Sequence, residues 1–170
     1  MDYKRYIREV PDFPKKGILF YDITTLLMNP DIFNAMINEM AQRVRDMEIT
    51  KIAAIEARGF MFGTPLALKL GKPFIPIRKP GKLPYKTVRY EYTLEYGKDA
   101  VEMHADAVTK GDKVLIIDDL LATGGTIEAA ANLVKKCGGS VAGLMFAIEL
   151  DFLKGKQKLS EYKCESIITY

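Results

Sequence analysis

The strongest constraint on the fold is an apolar run that ends in two acids and a glycine-containing turn. Residues 114–126 read Val-Leu-Ile-Ile-Asp-Asp-Leu-Leu-Ala-Thr-Gly-Gly-Thr. The four apolar residues 114–117 show no helical spacing, which indicates a strand buried on both faces, as in a parallel sheet. Asp118 and Asp119 stand where we expect this strand to end, and Thr126 opens a predicted helix. The segment therefore predicts one strand–turn–helix unit of an α/β protein.

The turn of this unit has the properties of an anion site. Backbone N–H groups at a helix N-terminus and the helix macrodipole favour a bound phosphate. Asp118 and Asp119 would repel a bare phosphate, but ionised carboxylates accept hydrogen bonds, and a ribose offers two neighbouring hydroxyl donors. The segment therefore predicts a site for a ribose 5-phosphate. A plain strand-to-loop transition with solvated aspartates is the alternative, which the flanking strand, turn and helix signals together disfavour.

Strand and helix patterns alternate along the rest of the 170-residue chain. Helices are expected at residues 30–46, 60–70 and 126–136, with a shorter one at 3–9. Strands are expected at residues 52–55, 74–77, 114–117, 141–148 and 167–170. Residues 87–104 alternate apolar and polar side chains around a turn at Gly97–Asp99, which predicts an antiparallel hairpin that projects from the core. The fold class is α/β, a central parallel sheet flanked by helices, in a single domain of residues 1–170.

Composition and charge disfavour several classes of protein. The net charge is +3 and the basic residues are spread along the chain, which gives little support for nucleic-acid binding. No apolar run reaches membrane-spanning length and no signal peptide is visible, so we expect a cytoplasmic protein without a membrane partner. Cys137 and Cys164 are far apart and His104 is the single histidine, so no His/Cys metal site is expected. Any catalytic metal would be magnesium, held mainly by substrate phosphates and carboxylates.

A second loop with a cation follows the strand predicted at residues 52–55. It reads Glu-Ala-Arg-Gly-Phe over residues 56–60. The planar guanidinium of Arg58 suits phosphate oxygens, and Gly59 lets the backbone approach a ligand closely. Taken alone, the loop is better explained by a surface arginine at an ordinary helix start.

A third loop carries three cations. Residues 77–84 read Ile-Arg-Lys-Pro-Gly-Lys-Leu-Pro, so Arg78, Lys79 and Lys82 lie in a segment constrained by two prolines. Three cations could clamp a polyanion such as pyrophosphate and stabilise its charge as it leaves. A solvated basic surface loop is the alternative for this segment alone.

Taken together, these motifs resemble the type I phosphoribosyltransferase family. With residues 92–97, Tyr-Thr-Leu-Glu-Tyr-Gly, the chain is most similar to the members that act on adenine, and the resemblance runs from Phe13 to about Gly155. It implies the type I phosphoribosyltransferase fold, with a small N-terminal hood of about residues 1–30 and a mobile flap formed by the hairpin at 87–104. It also implies transfer of the phosphoribosyl group from 5-phosphoribosyl 1-pyrophosphate to adenine, giving AMP and pyrophosphate, with Mg²⁺ as cofactor.

The resemblance also implies which residues bind each part of the substrates. The ribose 5-phosphate is assigned to Asp118, Asp119, Ala122, Thr123, Gly124, Gly125 and Thr126. Pyrophosphate is assigned to Ala57, Arg58, Gly59, Arg78, Lys79 and Lys82. Adenine is assigned to Leu19, Phe20, Tyr21 and Arg58. We expect the base between Arg58 and the segment at 19–22, recognised mainly through backbone groups; many relatives carry a basic residue in place of Tyr21, which changes the expected stacking.

Catalytic roles follow from the same resemblance. The residues implied are Glu95, Arg58, Asp118 and Asp119. Glu95 lies beside Tyr96 near the tip of the flap and is the expected proton-transfer group, whereas the other three are expected to stabilise charge. Family members often carry a non-proline cis peptide in the pyrophosphate loop, and the matching bond here is Ala57–Arg58. No side chain is expected to be a dedicated metal ligand.

Alternative functions remain open at this point. A sister enzyme could use a 6-oxopurine, although residues 18–22 and Glu95 argue against it. A non-catalytic regulator could bind phosphoribosyl pyrophosphate as an effector, although such proteins usually carry an added DNA-binding domain. A P-loop nucleotidase or a dinucleotide-binding protein would need a motif that this chain lacks. Relatives are homodimers in which the arginine matching Arg78 can reach the neighbouring site, so small-molecule substrates and a second copy of the chain are the expected partners.

Overall fold

The computed structural model describes residues 1–94 and 97–170 of the chain. Its Cα positions divide it into two units, Met1–Glu39 and Met40–Tyr170. The first unit contains a two-stranded sheet, and the second contains a five-stranded sheet and a separate two-stranded hairpin. A single domain over residues 1–170 stays a prediction.

The first unit is built on the antiparallel pairing of β1 (Arg8–Pro11) with β2 (Leu19–Asp22). A short 3-10 helix, Tyr3–Tyr6, precedes β1, and helix α1 (Thr24–Leu27) follows β2. The helix predicted at residues 3–9 is therefore wrong beyond Tyr6. The residues from Arg8 onward pair with a strand some ten residues further along the chain, and this pairing outweighs their local preference.

Helix α2 (Pro30–Arg43) begins where the sequence predicts a helix start. The side-chain oxygen of Asn29 accepts a hydrogen bond from the backbone N–H of Ile32 at 3.2 Å, and proline occupies the first helical position, where it costs no hydrogen bond. The helix ends at Arg43, three residues before the predicted end. In the part of the chain that the structure describes, no helix is long and apolar enough to span a bilayer.

The second unit is built around a five-stranded parallel sheet. In chain order its elements are β3 (Lys51–Ile55), α3 (Arg58–Leu70), β4 (Phe74–Ile77), β5 (Thr87–Leu94), β6 (Gly97–His104), β7 (Lys113–Leu121), α4 (Gly125–Lys136), β8 (Ser140–Glu149), a 3-10 helix Asp151–Leu153, α5 (Gly155–Lys158) and β9 (Cys164–Thr169). The sheet has the order β4-β3-β7-β8-β9, and all neighbouring strands are parallel. The predicted α/β fold with a central parallel sheet and flanking helices is confirmed.

The strand order reverses its direction between β3 and β7. From β3 the chain crosses through α3 to β4 on one side, and from β7 it crosses through α4 to β8 on the other. Parallel crossovers are right-handed, so the two connections put their helices on opposite faces of the sheet. A crevice opens at the carboxyl ends of the strands where the order reverses, and ligands of α/β proteins bind there. The topology therefore points to the ends of β3 and β7 as the ligand site.

The centre of the core lies on β3 and β7. Residues 114–117 are 0% exposed, which confirms the buried strand predicted from their apolar run. Helix α3 packs closely on β3, because a Cβ added at Gly63 would lie only 2.5 Å from the Cβ of Ala54. Gly71 ends α3 with a left-handed φ of 61°, as its position after the last apolar residue predicts.

The hairpin of β5 and β6 lies outside the five-stranded sheet. Its antiparallel register runs from Thr87 opposite His104 to Leu94 opposite Gly97. The predicted hairpin is confirmed, but the turn predicted at Gly97–Asp99 is wrong, because these residues already belong to the ladder of β6. Val101 and Met103 are 1% and 0% exposed, so the part of the hairpin next to the core is fixed by apolar packing.

Candidate active site

The carboxyl ends of β3 and β7 bring the predicted arginine and aspartates together. Helix α3 begins at Arg58, and Arg58 Nε lies 2.9 Å from Asp119 Oδ2. Asp119 is 5% exposed, whereas the Arg58 side chain is 43% exposed. The ion pair therefore joins a buried carboxylate to a guanidinium that keeps contact with solvent.

The sequence predicted that the two aspartates follow the end of the strand. In the structure they lie inside β7. The strand continues to Leu121, and Asp118 is paired in register with Phe146 of β8. The prediction was too short because it followed the apolar run, whereas the ladder with β8 continues through the polar residues. This extension holds the backbone of both carboxylates rigidly in the sheet.

A glycine of α3 makes room for Asp118. Asp118 Oδ1 accepts a hydrogen bond from the backbone N–H of Asp119 at 2.9 Å. A Cβ added at Gly59 would lie 3.0 Å from the same oxygen and 3.1 Å from the carbonyl oxygen of Ile117. A larger residue would press on the aspartate, so Gly59 allows the helix to approach the strand that carries the acids.

Burial raises the pKa of both carboxyls. Burial first, and the neighbouring Asp119 charge second, raise the pKa of Asp118 well above its usual range. Burial also raises the pKa of Asp119, although the Arg58 guanidinium acts in the opposite direction. Two neighbouring carboxylates in a site with little access to water resist ionising together. A ligand that donates hydrogen bonds to these oxygens, as ribose hydroxyls do, favours their ionised form.

The turn after β7 forms a small concavity at the N-terminus of α4. The residues that line it are Asp118, Leu120, Leu121, Ala122, Thr123, Gly124, Gly125, Thr126 and Ile127. Gly124 adopts a left-handed φ of 84°, a conformation that favours glycine. The first N–H groups of α4 have no acceptor within the helix. The geometry of the turn thus fits the phosphate site predicted from the sequence.

A glycine outside this motif also shapes the turn. A Cβ added at Gly155 would lie 2.2 Å from the carbonyl oxygen of Ala122, and one added at Gly124 would lie 2.9 Å from the carbonyl oxygen of Gly155. The start of α5 therefore packs backbone against backbone on the turn. Gly155 carries no sequence signal for a site residue, because α5 has only four residues and no periodic pattern.

The loop at residues 78–82, here called the cation loop, is fixed by a carboxylate that the sequence analysis had not given a role. Glu56 pairs with Arg78 Nε, and its Oε1 accepts a hydrogen bond from the backbone N–H of Lys79 at 3.1 Å. Arg78 Nη1 also donates to the carbonyl oxygen of Lys82 at 3.0 Å. Lys82 itself is exposed. Glu56 thus joins the loop after β3 to the cation loop after β4.

Strand β6 holds the cation loop from another side. The backbones of Arg78 and Glu102 exchange two hydrogen bonds, with N···O distances of 2.9 and 2.7 Å. Glu102 Oε2 accepts a third from the N–H of Gly81 at 3.2 Å. The ammonium of Lys79 pairs with the carboxylate of Asp99. These contacts assemble Arg78, Lys79 and the hairpin into one group.

A non-proline cis peptide bond is present in the loop after β3, but between Glu56 and Ala57. The expectation of a cis bond at Ala57–Arg58 is therefore wrong by one bond. Ala57 already serves as the N-cap of α3, and its carbonyl oxygen accepts a hydrogen bond from the N–H of Phe60 at 3.2 Å. The bond that follows Ala57 therefore belongs to the start of the helix.

The segment predicted to bind adenine forms β2 in the first unit. Leu19 is 41% exposed, while Phe20 and Tyr21 are partly buried. The ring of Phe20 packs edge-on against the ring of Phe13, with centroids 5.1 Å apart. The adenine contacts of this segment remain a prediction. Glu95 and Tyr96 lie outside the described residues, so their predicted roles also remain predictions.

Three of the residues that sequence analysis missed are acids: Glu56, Asp99 and Glu102. The sequence gives only a weak indication of their roles, because each is an acid on a segment that the fold places next to a loop rich in cations. Glu102 lies between the buried residues Val101 and Met103, so alternation predicts it on the outer face of β6. Only the folded arrangement covers that face with the cation loop and leaves Glu102 8% exposed.

The chain is similar to known proteins of one family. The family described as phosphoribosyl transferase domain matches residues 22–169. Adenine phosphoribosyltransferase of Kosmotoga olearia is 55% identical over 170 residues, which are 100% of both chains. The crystal structure of adenine phosphoribosyltransferase from Thermoanaerobacter pseudethanolicus superposes with a TM-score of 0.97 at 53% identity, covering 99% of this chain and 98% of that one.

A third relative carries ligands. The crystal structure of adenine phosphoribosyltransferase from Saccharomyces cerevisiae, complexed with adenine and D-2,5-dideoxy-2,5-imino-altritol 1,6-bisphosphate, has a TM-score of 0.91 and 38% identity over 98% of this chain and 96% of that one.

The chain therefore belongs to the phosphoribosyltransferase family. The parallel sheet with reversed strand order, the arginine, the two aspartates and the glycine turn are its form of that fold. Within that family its place is among the adenine phosphoribosyltransferases.

The raised pKa of Asp118 makes a prediction about stability. A carboxyl whose pKa is higher in the folded than in the unfolded chain loses folding free energy as pH rises through the folded value. Asp118→Asn keeps the oxygen that accepts the Asp119 N–H but removes the charge. We expect the variant to be more stable than the parent protein at pH 8, by at least about 1.4 kcal/mol, the equivalent of one pKa unit, with a difference that vanishes near pH 4. Guanidinium unfolding at both pH values measures it.

Asp119→Asn is the matched control for this prediction. It also removes the charge of a carboxylate whose pKa burial raises, but it takes the partner of Arg58 away, so it should stabilise less than Asp118→Asn at pH 8. An Asp118→Asn variant that is less stable than the parent protein at pH 8 would contradict the account of this carboxyl.

Proposed function

We infer that this chain transfers the 5-phosphoribosyl group from 5-phosphoribosyl 1-pyrophosphate to adenine and releases AMP and pyrophosphate. The observation that carries this inference is the meeting of Arg58 with Asp119 and Asp118 at the point where the strand order reverses, next to the turn that begins α4. Relatives at 53–56% identity are named adenine phosphoribosyltransferases, which favours adenine over a 6-oxopurine.

We propose that the ribose 5-phosphate binds along the end of β7. Its 5-phosphate would accept hydrogen bonds from the turn Ala122–Thr126 and the N-terminus of α4, where the helix macrodipole favours an anion. Its two neighbouring hydroxyls would donate to the carboxylates of Asp118 and Asp119. The support is that one concavity is lined both by Asp118 and by the whole turn.

We propose that pyrophosphate binds to the loop after β3 and to the cation loop. The groups are the backbone of Ala57 and Gly59 and the side chains of Arg58, Arg78, Lys79 and Lys82. Arg58 has a partly exposed guanidinium, and a guanidinium binds two phosphate oxygens at once. These cations would stabilise the negative charge that collects on the leaving pyrophosphate.

The reaction needs charge of both signs to be stabilised. The bond between the ribose C1 and the pyrophosphate oxygen breaks, and a bond from C1 to the adenine nitrogen forms, through an oxocarbenium-like transition state. Asp118 and Asp119 would favour the positive ribose, and the nearby cations would favour the anion. Losing one such contact typically costs about 2.7–4 kcal/mol, or about 10²–10³ in rate.

We propose Mg²⁺ as the cofactor, held mainly by the phosphates of the donor. Within residues 1–94 and 97–170, no three His, Cys, Asp or Glu side chains form a group that could hold a metal ion. The oxygens of Asp118 and Asp119 are nevertheless ligands of the type that Mg²⁺ takes together with substrate phosphates and water. The ion would neutralise part of the charge on pyrophosphate when the donor is bound.

For the base, we propose recognition by β2 and proton transfer by the flap. Backbone groups of Leu19, Phe20 and Tyr21 would bond the exocyclic amine and a ring nitrogen, a pattern that a 6-oxopurine reverses. Arg58 would complete the site, and Glu95, next to Tyr96, would take the proton that adenine loses. Closure of the flap would exclude water, which could otherwise hydrolyse the donor.

An assay with four purines tests the function directly. Phosphoribosyl pyrophosphate and magnesium are supplied with adenine, hypoxanthine, guanine or xanthine, and nucleotide formation is followed by absorbance. We expect rapid turnover with adenine alone. Turnover with a 6-oxopurine would overturn the proposed role of β2, and donor binding without turnover of any base would indicate a regulator.

Replacing the proposed proton-transfer group tests the mechanism. Glu95→Gln should lower kcat by about 10²–10⁴, the usual contribution of a general acid or base, with donor binding largely kept. Glu91→Gln is the matched control, since its side chain on β5 is 59% exposed, and it should retain the kcat of the parent enzyme. A near-normal kcat for Glu95→Gln would remove Glu95 from its role.

We also propose a homodimer in which Arg78 reaches the neighbouring site, and a cytoplasmic location. Arg78 is held by Glu56 in the single chain, so reaching a second site would require exchange of this partner. Cys137 and Cys164 are free thiols, which suits a reducing compartment. Gel filtration with light scattering at micromolar concentration distinguishes a dimer from a monomer.

A further inference from the structure

The ammonium of Lys79 is held by a carboxylate of the hairpin. Lys79 and Asp99 form an ion pair, and their side chains are 43% and 26% exposed. Asp99 has further donors, because its Oδ2 accepts a hydrogen bond from the Tyr92 hydroxyl at 3.0 Å and its Oδ1 accepts one from the N–H of Ala100 at 2.8 Å. Burial would raise the pKa of Asp99, but Lys79, Ala100 and Tyr92 outweigh it and lower the pKa. Asp99 is therefore an ionised group with three donors built around it.

The same cluster reaches the first turn of α4. The Tyr92 hydroxyl lies 3.3 Å from Thr126 Oγ1. A hydroxyl has one proton, and that of Tyr92 is directed at Asp99, so Thr126 is the donor in this contact. The hydrogen bonds thus run from Thr126 to Tyr92 to Asp99, which also receives the Lys79 ammonium. The cluster joins the cation loop, the hairpin and the start of α4.

A cation that is already paired must change partners before it can bind a substrate anion. The ammonium of Lys79 is a compact point charge, so its contact with Asp99 and a contact with pyrophosphate are in competition. The exchange is feasible because Asp99 keeps Tyr92 and Ala100 as donors when Lys79 leaves. No buried oxygen is then left without a hydrogen bond.

We propose that Asp99 competes with pyrophosphate for Lys79 and so limits how tightly the enzyme holds the pyrophosphate group. This inference rests on the proposed role of Lys79 in pyrophosphate binding. It makes Asp99 a positioning residue, which acts on the substrate through Lys79. Pyrophosphate is both part of the donor and a product, and a product that binds too tightly slows its own release. An internal counter-ion on the flap weakens this binding.

The proposal is tested by whether removing the charge of Asp99 raises or lowers the affinity for pyrophosphate. Asp99→Asn keeps the shape of the side chain and one acceptor oxygen, for either the Tyr92 hydroxyl or the Ala100 N–H, and removes the charge that competes. We expect magnesium pyrophosphate to bind the variant about 3- to 5-fold more tightly than the parent enzyme, the effect of losing a partly exposed ion pair. Isothermal titration calorimetry of the full chain measures it. The affinity for ribose 5-phosphate should stay unchanged, which also reports that the variant is folded.

Two controls separate this competition from a general effect of charge. Glu91→Gln removes a carboxylate that lines the same cavity of about 400 Å³ as Asp99, and should leave pyrophosphate affinity unchanged. Lys79→Met should weaken pyrophosphate binding, and adding Asp99→Asn to it should then have no effect. If Asp99→Asn fails to fold, Asp99→Ser takes its place with the same expectation.

Three results would overturn the proposal. Weaker pyrophosphate binding by Asp99→Asn would mean that Asp99 orients Lys79 for the substrate, and unchanged binding would mean that it does not compete. Tighter binding that persists with Lys79→Met, or appears with Glu91→Gln, would mean that any negative charge nearby has the same effect. A parent enzyme that neither binds pyrophosphate nor forms AMP would instead contradict the proposed function.

Discussion

The reversal of strand order between β3 and β7 is the constraint on which the site depends. It places the carboxyl ends of two central strands side by side, with α3 leading away on one face and α4 on the other. Arg58 at the start of α3 and Asp119 on β7 can then form an ion pair without any loop having to fold back. Since both strands are fully buried at their centres, the pair is held by the core of the molecule rather than by the surface.

Carboxylates of the same chain partly neutralise the cations of the candidate site. Three cations predicted to bind pyrophosphate have carboxylate partners within the chain: Arg58 with Asp119, Arg78 with Glu56, and Lys79 with Asp99. Without these partners, neighbouring cations would repel one another and destabilise the fold. If these cations bind pyrophosphate as proposed, the anion would have to exchange with the internal carboxylates, and its net affinity would be the difference between two sets of ion pairs.

Local signals in the sequence were sufficient for the elements and the motifs. The apolar run at 114–117, the cap at Asn29 and the glycine at 71 predicted strand and helix positions that the structure confirms. These local signals were not sufficient where contacts between segments distant in sequence determine the structure. Strand β1 exists only through its pairing with β2, and Asp99 and Gly155 matter only because of neighbours far along the chain. The cis bond was misplaced by one position because several bonds of the motif fit the same description.

The account depends most on the claim that Asp118 and Asp119 hold the ribose hydroxyls while the turn holds the 5-phosphate. Calorimetry at pH 8 with ribose 5-phosphate and with 2-deoxyribose 5-phosphate compares ligands that differ by one hydroxyl. A hydrogen bond to a charged group contributes about 1.5–3 kcal/mol, so the account predicts that the deoxy sugar binds at least about tenfold more weakly. Equal affinities for the two sugars would contradict it.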